Sequence, residues 1–173
     1  MNRSHQSRAI RLALAALSIS MVSAACATAP RTAEVAGHAA CVITDPGTWS
    51  GPALVSFRLP GSQRSGYAME CALKSSDDRV SGQSRSTVSC DFTADTSATI
   101  GACWGTDTLT TDHASWQGTL LGIASWDADK QIHTHTFDVT YLGTGEYEGL
   151  RYEVTMSEVD SAWTAVGTVE SIG

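Results

Sequence analysis

From Gln131 to Leu142 the chain alternates: His133, His135, Phe137, Val139 and Tyr141 on one face, Thr134, Thr136, Asp138 and Thr140 on the other. Side chains in a strand point to opposite faces with period two, so this alternation predicts a half-buried β-strand. Similar runs predict strands over Ala53–Leu59, Tyr67–Leu73, Ser86–Phe92, Thr99–Leu109, Ser115–Ser125, Leu150–Met156 and Trp163–Ile172. Short turn-forming clusters separate them: Ser75 to Asp78, Asp95 to Ala98, Thr110 to His113, Asp127 to Lys130 and Glu158 to Ser161. Their Asp, Ser and Thr side chains bond to nearby backbone, which favours turns over continued strand. Gly143, Gly145 and Gly149 punctuate the run before Leu150. Three glycines so close together predict a bulge or a sharp corner. No segment after residue 25 has sustained helical periodicity. About eight strands joined by short turns predict an all-β fold, an eight-stranded antiparallel up-and-down barrel, because closure removes exposed strand edges.

The first 25 residues follow a different logic. Arg3, Arg8 and Arg11 precede an apolar, small-residue stretch, Leu12 to Ala25, that is short for a membrane span. This is the pattern of a secretory signal peptide. Two endings fit it. Ser23-Ala24-Ala25-Cys26 resembles a bacterial lipobox, which makes Cys26 a lipidation site. Ordinary cleavage at a small-x-small site around Ala25 to Ala27 is the alternative. Residues 26–40 are rich in Ala and Thr and lack aromatics, and they predict a flexible spacer ahead of a barrel domain over 41–173.

Removing the signal takes the net charge from −7 to −10. Such a chain repels phosphate backbones, which argues against nucleic acid as a partner. With Cys26 lipidated or removed, Cys41, Cys71, Cys90 and Cys103 remain. An even set in an exported domain predicts two disulfides. A hairpin centred on Thr96-Ser97 sets Cys90 opposite Cys103, leaving Cys41 to pair with Cys71. No CxxC pair points to metal binding by these thiols.

Candidate chemistry is sparse. His133 and His135 share one strand face, a spacing that suits metal ligation only with further ligands and otherwise describes a packed pair. Glu146 and Glu148 flank Tyr147 on the glycine corner, a pair of carboxylates that suits acid–base catalysis if repulsion raises one pKa, but two solvated loop carboxylates are the simpler reading. No GxSxG motif, unpaired thiol, DxDxDG loop or phosphate-cradling glycine loop is present. The five tryptophans, Trp49, Trp104, Trp116, Trp126 and Trp163, suit either core packing or a hydrophobic ligand site. His133, His135, Tyr141 and Trp116 are the candidate ligand-binding residues. No catalytic residue, metal or cofactor is assigned.

The segment TYLGTGEYEGL at 140–150 resembles the glycine-rich corner of the allene oxide cyclase and dirigent-like barrels. DDRVSG at 77–82, Trp104-Gly-Thr and Trp116-Gln-Gly are similar to bacterial secreted members of that broad group. The resemblance implies an eight-stranded antiparallel barrel that binds a small reactive molecule in its lumen and steers ring closure or coupling. No catalytic motif of those families is matched, and Leu150-Arg151-Tyr152 stands where they carry an Arg-Gly pair. Two functions follow as expectations. The first is a non-enzymatic exported barrel, lipid-anchored to the membrane, that binds a small apolar ligand or a cell-envelope protein. The alternative is a cyclase or isomerase acting on a small hydrophobic substrate in the lumen.

Overall fold

The computed structural model describes residues 32–51, 61–92, 99–127 and 132–173, except the side chains at 99, 126, 127, 132 and 133. Nine strands lie among them: β1 (Ala33–Asp45), β2 (Thr48–Ser50), β3 (Ser62–Ser75), β4 (Gly82–Phe92), β5 (Thr99–Thr110), β6 (Ser115–Asp127), β7 (Ile132–Thr144), β8 (Leu150–Val159) and β9 (Ala162–Ser171). Each pairs antiparallel with its sequence neighbour from β3 to β9, and β1 pairs with both β9 and β3. Eight strands therefore close into an up-and-down barrel, and the short β2 adds to one edge of β3.

The barrel is the predicted one, but one of its staves is not. Residues 33–40 are strand rather than spacer, so the barrel begins at Ala33 and not at residue 41. Val35 and Ala39 turn inward, and Cys41 packs against the core. Small residues suffice there because the backbone of β1 supplies ladder bonds to two neighbours at once, first β9 and then β3. The predicted strand over Ala53–Leu59, the spacer residues 26–31, the signal peptide with Cys26, and the turns at 95–98 and 128–130 lie outside the described residues. The turn predicted at Glu158 to Ser161 is shorter. Glu158 and Val159 belong to β8, and only Asp160 and Ser161 take positive φ, 51° and 68°.

Inward positions fill the lumen in layers. At one end, the base, Val80 and Tyr147 fold in from two single 3-10 turns and cover Trp116. The Trp116 ring stacks on Tyr147 at 5.0 Å and meets Tyr152 edge-on at 6.0 Å, and its indole N–H donates to the Arg79 carbonyl at 2.7 Å. Tyr152 in turn stacks on Tyr141 at 5.6 Å. Leu109, Leu120, Val88, Val139, Val154 and Val169 fill the space between. Two glycines of β6 make this possible. Gly118 lies opposite Tyr141 and Gly122 opposite Phe137, and a Cβ at either would come within 2.6 Å of the facing ring. The predicted glycine corner is present: Gly145 (φ +62°) and Gly149 (φ +82°) flank the turn that carries Tyr147.

The two disulfides are Cys41–Cys71 and Cys90–Cys103, each between directly facing residues of adjacent strands. Both lie against the core, where they suit an oxidising, exported setting. No described helix is long and apolar enough to cross a membrane.

Candidate functional site at the barrel mouth

The other end of the barrel forms its mouth. The ends of β1, β4, β6 and β8 and the starts of β3, β5, β7 and β9 meet there. Between them lies a cavity of about 210 Å³ lined by Cys41, Val42, Ile43, Arg64, Tyr67, Met69, His135, Phe137, Glu158, Ser161 and Trp163. A larger groove of about 500 Å³ lies on the outer face of β3, β4 and β5 near Glu70, Gln83, Arg85 and Thr108, but its lining side chains are polar and none is aromatic. The mouth is the better ligand site because apolar walls with a few convergent polar groups are what small-molecule pockets share.

The strand pattern explains how the polar groups converge. His135 and Glu158 are directly opposite on β7 and β8, and inward alternation turns both into the mouth. The His135 Nδ1 and a Glu158 carboxylate oxygen form a close hydrogen-bond contact with 19% and 13% of their side chains exposed. The imidazole also stacks on Trp163 at 5.9 Å and 16° and packs against Phe137 at 5.7 Å. Trp163 and Phe137 are themselves stacked at 5.9 Å. On the opposite wall the Arg64 guanidinium sits 4.1 Å above the Tyr67 ring and 5.4 Å from that of Trp49, and its Nε donates to the Pro46 carbonyl at 2.8 Å. Burial pushes the Tyr67 hydroxyl up to about 12, with Arg64 working against the rise and Glu158 adding to it. At neutral pH Tyr67 is therefore a neutral hydroxyl and a hydrogen-bond donor.

The four predicted ligand-binding residues do not share one site. His135 lines the mouth. His133 lies on β7 opposite Trp126, with its side chain outside the described residues. Tyr141 and Trp116 are core residues rather than ligand contacts, because the lumen below the mouth is filled by side chains. Trp116 seals the base. Tyr141 donates to a buried carboxylate, Asp107 Oδ2, at 2.8 Å. The Ser84 hydroxyl lies 2.9 and 2.8 Å from the two Asp107 oxygens, and the Ser86 hydroxyl 3.1 Å from one of them. Burial and the adjoining Asp107 charge push the Tyr141 hydroxyl well up, so it stays a donor.

No described basic side chain pairs with Asp107, and the described side chains that hydrogen-bond it do so through hydroxyls. Tyr141→Phe is expected to lower stability by about 1.5–3 kcal/mol, the worth of one hydrogen bond to a charged group, with Ser84 and Ser86 still donating to the carboxylate. Urea unfolding measures it, and an unchanged midpoint would mean the carboxylate does not depend on that hydroxyl.

No family model, curated protein or solved structure matches this chain.

The site thus stands on its geometry. Sequence reasoning found His135 but missed Glu158, Arg64, Tyr67 and Asp107 as site or network residues. A signal for Glu158 was present: a hairpin centred on the glycine corner, between Glu146 and Tyr147, pairs position 135 with 158. Glu146 and Glu148 are exposed, the solvated pair expected of them. Trp104 faces outward and Trp49 stacks on Phe92 at 5.8 Å near the mouth.

Proposed function

We propose that this is an exported barrel that binds one small, largely apolar molecule at its mouth. The observation that carries the reading is the aromatic-walled cavity of about 210 Å³ that holds Trp163, Phe137, Met69 and Tyr67 beside the His135–Glu158 pair. A dry cavity of roughly 150 Å³ admits benzene, so about 210 Å³ suits a ligand of one or two fused rings. Dense packing below restricts the ligand to the mouth. The signal pattern and lipobox-like Cys26 support export with a lipid anchor, and the net charge of −7 argues against nucleic acid. The resemblance to allene oxide cyclase and dirigent-like barrels supports a lumenal small-molecule site, placed at its outer end. An envelope protein as partner has no comparable pocket in its favour.

The test is ligand-observed NMR with naphthalene as the probe. Ile43 is an exposed rim residue of the cavity, so Ile43→Trp can plug the mouth without disturbing the core. Naphthalene is expected to bind the wild type, and to bind Ile43→Trp about tenfold more weakly, a loss of about 1.4 kcal/mol. Equal binding to both proteins would remove the mouth as the site.

A further inference from the structure

The mouth holds more than an apolar pocket. The Glu158 carboxylate contacts His135 Nδ1, and since an ionised carboxylate only accepts, it holds the imidazole in the tautomer that donates from Nδ1–H and leaves the other nitrogen basic. No described residue hydrogen-bonds that nitrogen, Nε2, and His135 is part of the cavity wall. The stacking on Trp163 and Phe137 fixes the ring plane. Tyr67, on the same cavity, offers a neutral hydroxyl. A base held by a carboxylate, on one small cavity with a donor hydroxyl, is the equipment for removing a proton beside a carbonyl group.

We propose that the mouth catalyses enolisation of small, neutral, apolar ring ketones, with His135 as the base. The inference rests on the reading that the mouth binds such molecules. In the step, the C–H bond next to the carbonyl breaks and the proton goes to His135 Nε2. The C–H electron pair becomes a C=C bond, and the carbonyl π pair moves to oxygen. The Tyr67 hydroxyl donates a hydrogen bond to that developing oxyanion, and the Glu158 carboxylate stabilises the imidazolium. Return of the proton to the same carbon regenerates the ketone. Where the substrate has a conjugating double bond, return to the more distant carbon shifts that bond. The imidazole ends neutral in either case, and no oxidant or cofactor enters. His135 touches the reacting proton and is the catalytic residue. Glu158 acts through it and is a positioning residue.

The experiment follows 2-tetralone in D₂O by NMR, reading binding from saturation transfer and catalysis from loss of the hydrogens next to the carbonyl. The wild type is expected to exchange them about a hundredfold faster than imidazole at the same concentration, within the usual range for a positioned base. His135→Gln should bind 2-tetralone and exchange it no faster than buffer. Glu158→Gln should lower kcat with KM unchanged, which a merely structural role would not do. Circular dichroism confirms that each variant keeps the barrel. Binding with exchange no faster than imidazole overturns the enolisation proposal and leaves the binding reading intact. Full exchange by His135→Gln also overturns it. Failure of the wild type to bind either 2-tetralone or naphthalene overturns the binding reading, and this proposal with it.

Discussion

Trp116→Ala is expected to destabilise the barrel by about 3–5 kcal/mol, the usual cost of deleting a large buried aromatic. Trp116 is 0% exposed and is the largest fully buried side chain among the described residues. Its removal leaves a cavity under Tyr147 and Tyr152 and orphans the Arg79 carbonyl that the indole N–H satisfies. That carbonyl belongs to the turn that places Val80 over the base, so one substitution loosens both halves of the plug. A calorimetric scan should show the melting temperature falling by roughly 10–20 °C. Trp104 gives the control. It is 48% exposed on the outer wall of β5, and Trp104→Ala is expected to change stability by less than about 0.5 kcal/mol. Equal effects at the two positions would mean that the base plug does not hold the barrel closed.

The second large effect comes from the disulfides. Cys41–Cys71 closes a sequence separation of 30 residues and Cys90–Cys103 one of 13. In the chain-entropy description, losing them costs about 3.7 and about 3 kcal/mol respectively. The ranking is reinforced by position. Cys41–Cys71 joins β1 to β3, the seam at which the first strand completes the barrel, whereas Cys90–Cys103 lies inside one continuous hairpin. Cys41→Ala/Cys71→Ala is therefore expected to lower the denaturation midpoint more than Cys90→Ala/Cys103→Ala. Guanidinium titration of the two double variants decides it, and the reverse order would mean that the seam is held by its ladder bonds rather than by its disulfide.

These effects show which parts of the molecule the sequence made legible. Alternation exposed β7 directly, since Phe137, Val139 and Tyr141 are large inward residues that alternate with Thr136, Asp138 and Thr140. The Cys90–Cys103 pair was legible because antiparallel register is a sum rule: positions 90 and 103 face each other about the same centre as Phe92 and Gly101. β1 was not legible. Its inward positions are Val35, Gly37 and Ala39, and two of the three are too small to display an apolar period. The strand exists through ladder bonds to β9 and β3, a tertiary effect that local propensity does not carry.

The site divides in the same way. His135 stood out as one of two histidines on a strand face, but its meaning depends on Glu158, 23 residues away, at a position whose neighbours Asp160 and Ser161 look like a turn. Tyr141 and Trp116 had the chemistry of ligand contacts and the wrong depth. The glycines at 118 and 122 draw the facing aromatic rings into the lumen and fill it, which pushes any ligand to the mouth.

The most direct test of a packed barrel with a ligand site only at its mouth is an NMR titration of the ¹⁵N-labelled indole N–H groups with naphthalene. The account predicts that the Trp163 resonance shifts while that of Trp116, sealed at the opposite end, stays in place. A shift of Trp116, or a titration in which Trp163 does not move, would contradict it.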